Sequence, residues 1–91
     1  MPVPDYTLIR EDVIASLKRY VEQGIPTGGF LQAVLENNLS EAFGRADENN
    51  VRVLFHICAY VYNYLPASSW GSPEKVKRWL KERRAAREVE S

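Results

Sequence analysis

Apolar residues recur along this chain at helical spacing, and no run alternates apolar and polar over a strand's length, so the pattern predicts an all-α protein. A first helix is expected over about Leu8 to Gln23. Val13, Ile14, Leu17, Tyr20 and Val21 share one face, Lys18, Arg19 and Glu22 the other, and Gly24 supplies the stop. A second helix starts after Thr27, which suits the capping position, and carries Phe30, Leu31, Val34 and Leu35 until Asn37-Asn38 interrupts it. A short third helix, Leu39 to Ala46, is expected to bury Leu39, Ala42, Phe43 and Ala46, with Asp47 capping the next.

The fourth segment, about Glu48 to Leu65, is apolar around nearly its whole circumference through Val51, Val53, Leu54, Phe55, Ile57, Cys58, Val61 and Leu65. One narrow stripe of Arg52, His56, Ala59 and Asn63 remains at helical spacing, and Pro66 ends the helix. Ser72-Pro73-Glu74 reads as a cap, a first-turn proline and a favourable early acid, opening a fifth helix that buries Val76, Trp79 and Leu80 and frays beyond Arg84. The expectation is one domain over residues 1–91, a bundle of about five helices, with residues 1–7 an N-terminal extension and 85–91 a frayed tail.

Length changes this picture by limiting the core. A chain of 91 residues buries only roughly 60–65% of the surface that its unfolded form exposes, and two Trp, five Tyr and three Phe only partly offset that. Self-association is therefore expected. No apolar run is long enough to span a bilayer, and no membrane partner is expected. The start Met1-Pro2-Val3-Pro4-Asp5 lacks the basic and apolar regions of a secretory leader, and Cys58 has no second cysteine to pair with, so a cytoplasmic setting is expected.

Net charge is zero but unevenly placed: from Pro73 onward there are seven basic and four acidic residues, and before it five and eight. That asymmetry can orient a complex without signalling nucleic acid. Glu82 and Glu88 interrupt the basic surface of the last helix, and Trp79 shares its face with Val76 and Leu80, so a solvated face is favoured over a nucleic-acid reader.

No catalytic or metal-binding constellation is visible. His56 and Cys58 are two apart on one helix, about 200° of rotation, which separates a base from a nucleophile. One His and one Cys fall short of a structural zinc set. No enzyme and no cofactor are expected. His56 reads first as a core histidine hydrogen-bonded to a neighbour, or as the lining of a pocket roofed by the Thr27 corner. Trp70 reads either as a plug over one end of the bundle or as a stacking plane, because its small-residue loop gives it no core periodicity.

The candidate for binding chemistry is the break Gly24-Ile25-Pro26-Thr27-Gly28-Gly29, where paired glycines open a helix and leave backbone N–H groups free for a phosphate or carboxylate. A simple helix cap is the alternative. Thr27, Gly28 and Gly29 would offer amides, Arg45 the countercharge, Trp70 or Tyr60 a plane for a base, and Asn37, Asn50 or Asp47 its edge contacts.

The stretch GIPTGGFLQAVLENNLSEAFGRADENN, followed by YVYNYLPASSWGSPEKVKRWL, resembles a family of small phage and prophage proteins. That family is similar to sponge proteins that sequester cyclic nucleotide signals and blunt bacterial antiphage defence of the CBASS type. The resemblance implies a non-catalytic, cyclic-nucleotide-binding homo-oligomer in the bacterial host cytoplasm. It implies ligand contacts at Pro26-Thr27-Gly28, Asn37, Arg45, Asp47 and Trp70-Gly71-Ser72. Asn38 stands where the family pattern has Asp, which questions any role for that carboxylate. The other reading is an accessory module that binds a host protein through an apolar helix face.

Overall fold

The computed structural model describes residues 3–90, with side chains through Glu88. Among these residues there are six helices and no strand: α1 Glu11–Gln23, α2 Gly29–Leu35, α3 Leu39–Arg45, α4 Glu48–Arg52, α5 Leu54–Tyr64 and α6 Pro73–Glu90. Short 3-10 turns, Tyr6–Leu8 and Ala67–Ser69, precede α1 and follow α5. No helix is long and apolar enough to cross a membrane.

The α1 stripe packs as its periodicity requires, with Val13, Leu17 and Tyr20 buried and Ile14 and Val21 half-buried beside them. Glu11 and Asp12 occupy its first turn, where the helix dipole favours acids. Gly24 ends α1 at φ 68°, and its N–H donates to the Tyr20 carbonyl at 3.0 Å. Glycine serves there twice: it takes the left-handed conformation freely, and a Cβ would collide with Cβ of Arg83 on α6. Leu31, Val34 and Leu35 of α2, Ile57 and Val61 of α5, Leu65, and Val76 and Trp79 of α6 complete the core. Each such side chain stabilises the fold by about 1.5–3 kcal/mol over its exposed state.

Three polar bonds pin α1, α2, the loop after α5, and α6 together. The buried Tyr20 hydroxyl donates to the Ser69 carbonyl at 2.7 Å, the Trp79 indole N–H to the Tyr20 carbonyl at 3.1 Å, and the Gly71 N–H to the Leu35 carbonyl at 2.7 Å. The Arg83 guanidinium lies 4.5 Å over the Trp79 ring. Ser72 caps α6, its hydroxyl accepting from Lys75 N, and Pro73 takes the first helical position. The helix continues to Glu90.

Four sequence expectations are corrected. Glu48–Leu65 is two helices, broken at Val53 (φ −110°, ψ 15°), because Asn49, Asn50, Val51 and Val53 are all weak helix formers in one short run. The first helix starts at Glu11 rather than Leu8, because Asp5 caps a separate turn at Tyr6–Leu8 by accepting from Thr7 N. Thr27 does not cap α2. Gly28 holds that position, and the Thr27 hydroxyl donates to the Gly28 carbonyl at 3.2 Å. Finally, α3 buries Ala42 alone: Leu39 and Phe43 are each 62% exposed, and Ala46 is half-buried. The helix presents the small edge of its apolar stripe to the core and leaves the large edge outward.

Residues 4–9 lie against α5 rather than trailing away. Asp5 N–H donates to His56 Nδ1 at 2.9 Å, and Asn63 Nδ2 donates to the Tyr6 hydroxyl at 3.0 Å. The Tyr6 ring meets Tyr60 and Tyr64 edge-on at 5.7 and 5.2 Å. The polar stripe of α5 is thus the seat of this N-terminal strap, and His56 is bonded to a neighbour but half-buried rather than in the core.

Candidate functional site

Two concavities flank the turn Glu36–Asn38 that joins α2 to α3. The smaller, about 140 Å³, is lined by Gly29, Gln32, Ala33, Glu36, Asn38, Glu41 and Arg45. Its geometry follows from two local choices in the sequence. Gly28 and Gly29 leave the start of α2 without a side-chain cap, and Arg45 sits in the last turn of α3, one helical turn from Glu41. Glu41 Oε2 accepts from Arg45 Nε at 2.8 Å, which aims the rest of the guanidinium back at α2. Arg45 Nη1 lies only 2.7 Å from where a Gly29 Cβ would stand, so the glycine makes room for the charge.

The i to i+4 spacing of Glu41 and Arg45 makes that pair legible, and both side chains are more than half exposed, so the pair is weak and open to exchange. Glu36, half-buried, accepts from Gln32 Nε2 at 3.0 Å. One guanidinium and two carboxylates therefore share this concavity. It offers an anion one cation, and it offers hydrogen-bond donors two carboxylate acceptors. Asn38 lies here too and caps α3 by accepting from Glu41 N at 3.2 Å, a service that an Asp would perform equally.

The second concavity, about 500 Å³, is lined by Pro4, Asn37, Phe55, Cys58, Ala59, Tyr62, Asn63 and Trp70 and is mainly apolar. Trp70 is half-buried, its ring 5.8 Å from Tyr62 at 60°, and its buried Nε1 meets no acceptor among the described residues. Asn37 adopts φ 61°, a conformation that asparagine tolerates better than most residues. Burial pushes the Cys58 thiol above its ordinary value, which lowers its thiolate fraction at neutral pH.

The candidate residues therefore fall into four places. Gly29 and Arg45 meet at the small concavity, with Thr27 and Gly28 just before it in the chain; Asn37 and Trp70 meet in the apolar groove. Asp47 and Asn50 belong to the start of α4, where Asp47 Oδ1 accepts from Asn50 N at 2.7 Å and Oδ2 from Arg10 at 3.1 Å. The backbone hydrogen bond from Asn50, aided by Arg10, holds the Asp47 carboxyl below its usual range. Asn50 is buried with an unpartnered Oδ1.

Tyr60 stands apart in the tyrosine cluster with Tyr6 and Tyr64, where burial and then Tyr64 raise its phenol. Sequence reasoning missed Gln32, Glu36, Glu41, Phe55 and Tyr62 as lining residues. Only the spacing of Glu41 to Arg45 and of Gln32 to Glu36 carried a signal for them. Among the described residues no group of His, Cys, Asp and Glu could hold a metal ion. Comparison of the chain with protein-family models, curated proteins and solved structures finds no match.

Proposed function

We propose that this protein binds and sequesters a cyclic nucleotide without transforming it, acting in the cytoplasm of a phage-infected bacterium. The observation that carries the reading is the placement of the Arg45 guanidinium over Gly29, at a helix start that no side chain caps. A phosphate there would meet a charge-assisted donor together with backbone amides. Because α2 is only seven residues long, the guanidinium rather than a helix dipole supplies most of the attraction. Glu36 and Glu41 suit the donor-bearing edge of a purine, and Trp70 with Asn37 offers a plane and a polar edge across the turn.

The resemblance of the GIPTGGF and SSWGSPE segments to phage sponge proteins supports the same assignment. Since about 140 Å³ accommodates a phosphate and its neighbouring sugar but not a whole cyclic dinucleotide, most of the ligand lies outside this small concavity.

Thermal denaturation with a panel of cyclic di- and trinucleotides and cyclic ADP-ribose isomers tests the reading. A ligand at a hundredfold excess over Kd stabilises the native state by about 2.7 kcal/mol, a visible rise in Tm. Arg45→Glu is expected to abolish that rise while leaving the unliganded melt nearly unchanged, because the side chain is 61% exposed. No rise with any ligand, or a full rise in Arg45→Glu, contradicts the proposal.

A second reading rests on a different observation. Leu39, Phe43, Phe55 and Tyr62 are large, apolar or aromatic, and exposed, which suits an accessory module that binds a host protein.

A further inference from the structure

The outward face of α6 carries a charge pattern that the fold does not use. Val76 and Trp79 are buried and Leu80 and Arg83 half-buried, so the opposite side of the helix faces out, with Glu74, Lys77, Arg78, Lys81, Arg84 and Glu88 all exposed. At helical spacing Lys77, Lys81 and Arg84 form one row, about 10 Å from end to end, with Arg78 beside it. Glu74 and Glu88 close that row at its two ends.

Like charges three and four residues apart repel along a helix, so this row costs the fold stability. No ion pair within the chain relieves it. Among the described residues, none of the four cations enters an ion pair or a side-chain hydrogen bond. Helix polarity does not account for the row either. The negative end of the dipole favours cations in the last turn, where Arg87 stands, whereas Lys77, Arg78 and Lys81 lie in the first half of the helix.

We propose that this face docks an acidic protein, through a helix whose carboxylates recur at the same i, i+4 spacing. The arrangement of charge selects that occupant. A nucleic-acid strand or an anionic bilayer is negative throughout and would meet Glu74 and Glu88 as well as the cations, and the row holds no large apolar side chain to enter a bilayer. A protein helix can set carboxylates against the cations and leave Glu74 and Glu88 to basic or neutral neighbours. The four cations line neither the concavity of Arg45 nor the groove of Trp70, so this docking is independent of nucleotide binding.

Titration of the full-length protein into a fluorescent helical peptide tests the proposal. The peptide carries Glu at i, i+4 and i+7 with Lys at both ends, and a scrambled peptide spreads the same residues round the helix. The row peptide is expected to bind at physiological salt about tenfold more tightly than the scrambled one, with an affinity that falls as salt is raised. Lys77→Glu combined with Lys81→Glu is expected to abolish binding while helical circular dichroism is unchanged. Lys18→Glu combined with Arg52→Glu, an equal change of net charge elsewhere on the surface, is expected to leave binding intact.

Absence of binding by the row peptide, equal binding by the scrambled one, or an equal loss in both double variants overturns the proposal. Tighter binding of a thymidine oligonucleotide or of phosphatidylserine vesicles gives the face to those polyanions and overturns it too. So does a light-scattering mass of the protein alone that rises as salt is lowered and that Lys77→Glu with Lys81→Glu brings down, because the chain's own acids are then the occupant.

Discussion

The two tryptophans of this protein occupy opposite kinds of place. Trp79 is 7% exposed, donates its indole N–H to the Tyr20 carbonyl, and carries Arg83 over its ring. Trp70 is half-buried at the edge of a groove, touches Tyr62, and has an indole N–H with no acceptor among the described residues. The same side chain thus closes the α1 and α6 side of the molecule and leaves open the side between α5 and the turn from α2 to α3. A satisfied, packed aromatic marks where the fold is self-sufficient. An unsatisfied one marks an open edge of the fold.

The sharpest way to break this comparison is to truncate each ring. Trp79→Ala is expected to cost about 3–5 kcal/mol, a large part of the stability of so small a domain. Trp70→Ala is expected to cost less than half as much in the same urea or thermal titration. Equal losses would mean that Trp70 is a core residue and that the groove is no site.

Tyr20→Phe comes next in size. It removes the donor to the Ser69 carbonyl in a fully buried setting, so a loss of about 1–3 kcal/mol is expected by chemical denaturation. An unchanged midpoint would show that the bond does not help to hold the loop against α1.

The smallest effect lies at Asp47, which is exposed. Its folded pKa is depressed by the Asn50 backbone bond and by Arg10, so its stabilising contribution is present above the ordinary carboxylate value of 3.8 and lost as pH falls through the lowered folded value. Asp47→Ala is expected to lower Tm slightly at pH 7, and the gap from wild type should narrow as pH drops below about 4. A gap that is the same at pH 7 and pH 3 would show that the carboxylate charge is not what stabilises the start of α4.

The α1 face, the Gly24 stop, the Ser72-Pro73 start and the Asp47 cap were legible because each depends on neighbours within a turn of the chain. Leu39 and Phe43 were misassigned for a physical reason. Helical periodicity reports that side chains share a face, not whether that face meets the chain's own core or the outside. Val53 broke a continuous apolar run that periodicity alone treats as one helix.

At the candidate site, the meeting of Gly29 and Arg45 joins residues sixteen apart in sequence, and only the packing of α3 on α2 shows it. The same packing, together with the return of the loop after α5 through Gly71 to Leu35, puts Asn37 beside Trp70. Tyr60 was grouped with them by residue type alone, and the fold sends it to the strap instead.

Sequestration is tested most directly by incubating the purified protein with a cyclic nucleotide, removing free ligand, denaturing the protein, and identifying what is released by mass spectrometry. The expected result is the intact cyclic nucleotide from the wild type and little from Arg45→Glu. Release of a linear product, or equal recovery from Arg45→Glu, would contradict non-catalytic sequestration at the Gly29 and Arg45 site.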